Sequence, residues 1–116
     1  MVFVTDGKTE MMKWLAGESA TAPTHVGYGS GTESANSEDS ALGTEIDRKS
    51  VTATRSGREV LFEATIASTE EDGESISEIG LLNAASDGDM FNRSVFSTIS
   101  KNTNFDIQMD IIVRML

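Results

Sequence analysis

Over the last dozen residues of the chain, apolar and polar positions alternate. Phe105, Ile107, Met109, Ile111, Val113 and Met115 take every second place. Asp106, Gln108, Asp110, Ile112 and Arg114 lie between them, and of these only Ile112 is apolar. Successive side chains of a strand point to opposite faces, so the pattern predicts a long strand with one buried face. A helix would scatter the same six residues around its axis. Each such side chain contributes roughly 1.5–3 kcal/mol when buried. The face must therefore cover something, and the rest of the chain must supply partner strands.

The alternation recurs upstream. Between Glu59 and Ala67, Val60, Phe62, Ala64 and Ile66 share one face, while Leu61, Glu63 and Thr65 share the other. The β-prone run Val51–Thr54 and a turn at Ser56-Gly57 complete an antiparallel hairpin. Ile76 to Asn83 predicts a strand with Ile76, Glu78, Gly80 and Leu82 on one side and Ser77, Ile79 and Leu81 on the other. A glycine inside it marks a bulge or a close backbone approach. Met90–Phe96 reads as another strand, Thr24–Gly29 as a strand entering a glycine-rich turn, and Met1–Val4 as a short edge strand. Residues 33–45 form a polar loop anchored by Leu42.

Residues 5 to 17 alone look helical, with Thr5 or Asp6 as cap and Gly17 as stop. The helical apolar patch, Met11, Met12, Trp14 and Leu15, either packs on the sheet or faces another subunit. The expectation is one mainly β domain over residues 1–116, with a helix at about 6–16 and strands from about 24 to 115. Its architecture is an antiparallel β-sandwich or twisted sheet with one N-terminal helix.

Charge narrows the partners. Nine Lys and Arg stand against nineteen Asp and Glu, a formal charge of −10. Such a domain repels nucleic acid and anionic membranes, so neither is expected as a partner. The carboxylates form either an ordinary solvated surface or one adapted to high salt. No cysteine is present, which removes disulfides and thiolate metal sites. No apolar run approaches membrane-spanning length, and no signal peptide is recognised at the N-terminus. Synthesis and assembly in a cytoplasm are expected.

Candidate chemistry is sparse. Gly29-Ser30-Gly31-Thr32 leads into an acidic stretch and lacks the lysine of a phosphate loop, so it reads as a turn. Glu70, Glu71, Asp72 and Glu74 surround Gly73 without the spacing of a calcium loop, and read as a solvated hairpin tip. His25, the single histidine, precedes a strand and belongs to no nucleophile motif. No catalytic residue, metal or cofactor is expected.

Three segments in order carry a resemblance. The first is Thr24-His25-Val26-Gly27-Tyr28-Gly29-Ser30-Gly31. The second is Leu42, Glu45 and Arg48, spaced as L-x-x-E-x-x-R, and the third is Ile76-Ser77-Glu78-Ile79-Gly80-Leu81. Phe91-Asn92-Arg93 and the alternating last strand follow. The succession resembles the tail-collar fibre and related tail or baseplate structural proteins of tailed bacteriophages and tailed archaeal viruses, and covers nearly the whole chain. Tyr28 replaces a small or acidic residue of the family pattern, and Leu82 replaces its usual aromatic.

The resemblance implies a non-enzymatic virion structural subunit assembled in the host cytoplasm. It implies a homo-oligomer, trimer or hexamer, with other virion tail proteins as partners. Ending straight after its last strand, the chain is expected to be an adaptor or ring subunit rather than a fibre shaft. Glu45, Arg48, Glu78 and Gly80 are its structural motif residues, and Arg48 and Glu78 are expected to pair with each other or to cap backbone groups beneath the sheet. Trp14, Met11, Met115 and Leu116 are candidate interface residues. The competing readings are a receptor- or carbohydrate-binding module and a capsid decoration protein. The former calls for exposed aromatics, and the chain has one Trp and one Tyr.

Overall fold

The computed structural model describes all residues, Met1–Leu116. The elements in chain order are β1 (Val2–Phe3), α1 (Thr5–Leu15), β2 (His25–Gly29), β3 (Glu45–Ser50), β4 (Thr52–Ser56), β5 (Glu59–Ile66), β6 (Ser75–Leu82), β7 (Asn92–Ser100) and β8 (Ile107–Arg114). They form two antiparallel sheets, one ordered β1-β7-β6-β2-β3 and the other β4-β5-β8. With 45% of residues in strands and 9% helical, the mainly β expectation of a sandwich with one N-terminal helix holds.

The core between the sheets follows the alternation. Phe62, Ala64, Ile66, Met109 and Ile111 from the smaller sheet meet Val26, Tyr28, Ile76 and Leu81 from the larger, with Phe91 beside them. β5 and β8 pair without interruption from Glu59↔Arg114 to Ile66↔Ile107. The terminal strand is thus as expected through Val113. Met115, expected on the buried face, lies beyond the last pair and is 68% exposed.

The outer face of the larger sheet is covered by chain rather than by a third sheet. Val4, Leu42, Leu82 and Met90 form a second cluster there. Leu42 anchors the loop as expected. It lies flat on the sheet because Gly27 and Gly80 leave room. A Cβ on Gly80 would lie 2.6 Å from the Asn92 carbonyl oxygen, and one on Gly27 would lie 2.7 Å from Leu82.

Several expectations need correction. The run 45–54, expected as a strand only over Val51–Thr54, holds parts of two strands. β3 pairs with β2 in one sheet, Val51 carries the crossing, and β4 pairs with β5 in the other. The acidic segment 69–74 joins β5 to β6, which belong to different sheets, so it is a crossover and not a hairpin tip. The strand placed at Met90–Phe96 runs from Asn92 to Ser100, and Met90 makes only an isolated bridge to Leu82. Ile76 does not share the environment of Glu78. The β6–β7 register shifts between these two positions, with Phe96–Thr98 looped opposite Ser77, and Ile76 enters the main core.

The helix also sits differently. Its N-cap is Val4, which offers no side-chain cap, while the Thr5 N–H and hydroxyl both donate to the Ser37 carbonyl, at 2.8 and 3.2 Å. Gly17, at φ +78°, stops it as expected. The buried positions are Gly7 and Glu10, because a glycine lets the helix backbone come against the backbone of Phe91. That rotation leaves Met12 and Leu15 outside, at 59% and 81% exposed, while Met11 packs on the core and the half-exposed Trp14 lies against Phe91.

Candidate functional site

Two places concentrate the unusual residues: a buried polar node on the outer face of the larger sheet, and an apolar cleft beside α1.

The node is built on Glu78. The side chain of β6 at this position points away from the main core, toward the glycine-rich turn after β2 and the loop before β3. Its carboxylate accepts from the N–H groups of Gly31 at 2.7 Å, Gly43 at 2.8 Å and Thr44 at 2.8 Å. The Arg93 Nε donates a fourth bond at 2.9 Å. Beside it, the Ser77 hydroxyl donates to the Gly31 carbonyl at 2.8 Å. Glycine at 29 and 31 is required, since a Cβ there would collide with the Thr44 carbonyl or with the Glu78 carboxylate.

Burial alone would push Glu78 up. The N–H donors of Thr44 and Gly43, the Arg93 guanidinium and the Gly31 N–H together outweigh it and hold the carboxyl below its ordinary value. Burial likewise works against the Arg93 charge, and Glu78 and Asp39 outweigh it. Arg93 also donates to Asp39 Oδ2 at 3.1 Å, while its Nη2 lies 3.8 Å from Glu33 and makes no hydrogen bond. With four donors on two oxygens, Glu78 has no lone pair directed at solvent. Its chemistry is structural: it ties two loops to the sheet.

Arg48 does not reach Glu78. It forms a bidentate pair with Glu45, Nε to Oε2 at 2.7 Å and Nη2 to Oε1 at 3.1 Å, and its Nη1 donates to the carbonyls of Ala84 and Asp87, both at 2.8 Å. Residues three apart in a regular strand face opposite ways. Here the register slips between Tyr28↔Asp47 and Gly29↔Glu45, leaving Ile46 as the extra residue, and the bulge brings Glu45 and Arg48 together. The pair locks the β6–β7 turn, where Asp87 adopts φ +53°. Gly80 lies under Leu42 and Met90, between the two locks. The residue not nominated from sequence is Arg93. Its signal there was its place at the end of Phe91-Asn92-Arg93, a segment of the resemblance.

Of the other groups singled out in the sequence, His25, Glu70 and Glu71 are internally engaged. His25 Nδ1 has the Thr24 hydroxyl as its partner at 2.8 Å. Glu70 pairs with Lys49 and accepts from the Ala67 N–H at 2.9 Å, and the Lys49 hydrogen bond lowers its pKa. Glu71, at φ +57°, accepts from the buried Tyr28 hydroxyl at 3.3 Å. Burial, followed by the Glu71 charge, pushes the Tyr28 phenol far up. No three His, Asp or Glu side chains are placed to share a metal ion.

The apolar cleft has a volume of about 730 Å³ and is lined by Lys8, Met11, Met12, Trp14, Leu15 and Met115. Met11, Trp14 and Met115 are thus brought together. Leu116, 99% exposed, lies outside it. Trp14 stacks on Phe91 at 6.0 Å between centroids and donates its indole N–H to the Ala20 carbonyl at 3.0 Å. Lys8 is the one polar lining residue. The rest of the lining is apolar and suits apolar contact.

No known protein family, no characterised protein sequence and no solved structure matches the chain.

Proposed function

We propose that this chain is a structural subunit of a tailed virus, part of a tail, baseplate or fibre attachment, acting through symmetric protein–protein assembly and without catalysis. The observation that carries the assembly reading is the cleft beside α1. There Met12, Leu15 and Met115 are left outside at 59, 81 and 68% exposure, although the fold has a core to receive apolar groups. An apolar surface of this kind marks an association site.

The viral part rests on the resemblance, and the positions of its motif residues support it. The glycine-rich turn, the Leu42–Arg48 segment and the Glu78 strand meet in space as mutual packing partners. Their charged residues are consumed by internal ties, as a scaffold needs and a reactive site does not. Carbohydrate binding is less well supported, since Trp14 is packed against Phe91 and Tyr28 is fully buried.

The test is native mass spectrometry of the intact chain at micromolar concentration. A closed homo-oligomer, trimer or hexamer, is expected. A persistent monomer would contradict the proposal, and glycan binding by that monomer would favour the carbohydrate-binding reading.

A further inference from the structure

β8 is an edge strand. The sheets have four edges, and three of them are blunted. β1 has two residues; β3 carries a bulge and the charges of Asp47, Arg48 and Lys49; β4 is five residues long with no large apolar side chain. β8 runs for eight residues without bulge or proline and exposes Ile112 at 48%. A long regular edge with an apolar outer residue is a template for adding another strand.

Its outer face is also self-complementary. Along β8 the outward residues are Gln108, Asp110, Ile112 and Arg114, lying beside Thr65, Glu63, Leu61 and Glu59 of β5. Arg114 is already bonded to Glu59, Nε to Oε2 at 2.9 Å. Asp110 stands directly opposite Glu63; it accepts a hydrogen bond from Gln108 Nε2 at 2.8 Å but has no ion pair, and the facing like charges are unfavourable within one chain. An antiparallel second copy, related by a two-fold axis at Ile112, corrects this. Ile112 then faces Ile112 of the second copy, and Arg114 of each chain faces Asp110 of the other, once on either side of the axis. On the core side the same register sets Ile111 against Val113 and Met109 against Met115, extending the apolar face to the exposed Met115. Moving the axis to Asp110 sets two aspartates face to face, and moving it to Ile111 sets Ile112 against Asp110.

We infer that β8 pairs with β8 of a second copy of this chain about Ile112, joining the two three-stranded sheets into one of six strands. The inference rests on the assembly reading above and specifies one of its interfaces. A two-fold contact is isologous, so it requires an even number of copies. A hexamer or a dimer fits, and a bare trimer does not.

Sedimentation velocity on three chains tests it: wild type, Asp110→Arg, and Asp110→Arg with Arg114→Glu. Asp110→Arg places like charges opposite one another at both flanks of the axis while giving Glu63 a partner in its own chain, so the fold is retained. It should weaken association by roughly a hundredfold or more. The double variant reverses each ion pair and should restore the wild-type mass. Ile112→Lys, which sets two cations on the axis, should dissociate the assembly as Asp110→Arg does, and it serves if Asp110→Arg does not fold. A wild-type trimer, an assembly that Asp110→Arg leaves intact, or a double variant that stays dissociated would overturn the β8 pairing and leave the assembly reading standing. A monomeric wild type would overturn both.

Discussion

The carboxylate of Glu78 accepts four hydrogen bonds with its side chain fully buried, and three of them come from backbone N–H groups of loops that have no sheet partners of their own. Glu78→Gln keeps the shape but removes the charge facing Arg93, whose side chain is 3% exposed. Breaking a buried pair in this way costs about 3 kcal/mol, which urea unfolding would report as a lower midpoint at unchanged slope. The sign of the pH dependence follows from the lowered pKa. The Glu78 contribution is complete above the ordinary carboxyl value of 4.5 and is lost as pH falls through the lower folded value. Acid unfolding of Glu78→Gln should therefore show a flatter limb below that pH, and an unchanged limb would remove Glu78 from the account of acid stability. Gly80→Ala tests the neighbouring contact. With a Cβ 2.6 Å from the Asn92 carbonyl oxygen, β7 must shift, and a loss of about 1–3 kcal/mol is expected in the same assay.

Among the elements, β8 shows most plainly how sequence period becomes structure. Ile111 is 4% exposed and Ile112 is 48% exposed, although the two are chemically identical neighbours. Ile111→Ala should cost about 2–5 kcal/mol and Ile112→Ala less than about 0.5 when both are measured in the Asp110→Arg background. Equal losses would mean that the strand does not present alternate faces. The β8 strand was legible from its period of two, and the β4–β5 hairpin from the alternation Val60–Ile66 after a glycine turn, whereas nothing in either run named the other as its neighbour. The crossing at Val51 was not legible, since the charged run Glu45–Ser50 has little β-propensity and reads as a lead-in, and a change of sheet leaves no mark in composition. The helix was legible as an element but not in its orientation. Its bulkiest residues suggest the packed face, whereas Gly7 gives the closest approach and turns Met12 and Leu15 outward. The Glu45–Arg48 pair was readable as a motif, and its geometry depends on a bulge at Ile46 that no local signal announces.

At the scale of the whole molecule, a charge of −10 is spread over a surface of 6501 Å². Self-repulsion destabilises such a compact state, and salt screens it, the Debye length falling from about 30 Å at 0.01 M to about 8 Å at 0.15 M. The thermal midpoint of the Asp110→Arg chain should rise across that range and continue upward toward 3 M KCl if the surface is adapted to high salt. A flat or falling curve would remove the halophilic reading. The internal ties at Glu78 and Arg48 make a stiff body, while the apolar cleft by α1 and the free edge of β8 leave two surfaces turned outward for contact. Amide hydrogen exchange along Gln108–Arg114 tests this division most directly. In the wild-type chain at assembling concentration, every amide of the strand should be protected, including those directed away from β5. In Asp110→Arg the outward-directed amides alone should exchange fast. Fast exchange of those same amides in the wild type would contradict a molecule built to be joined at that strand.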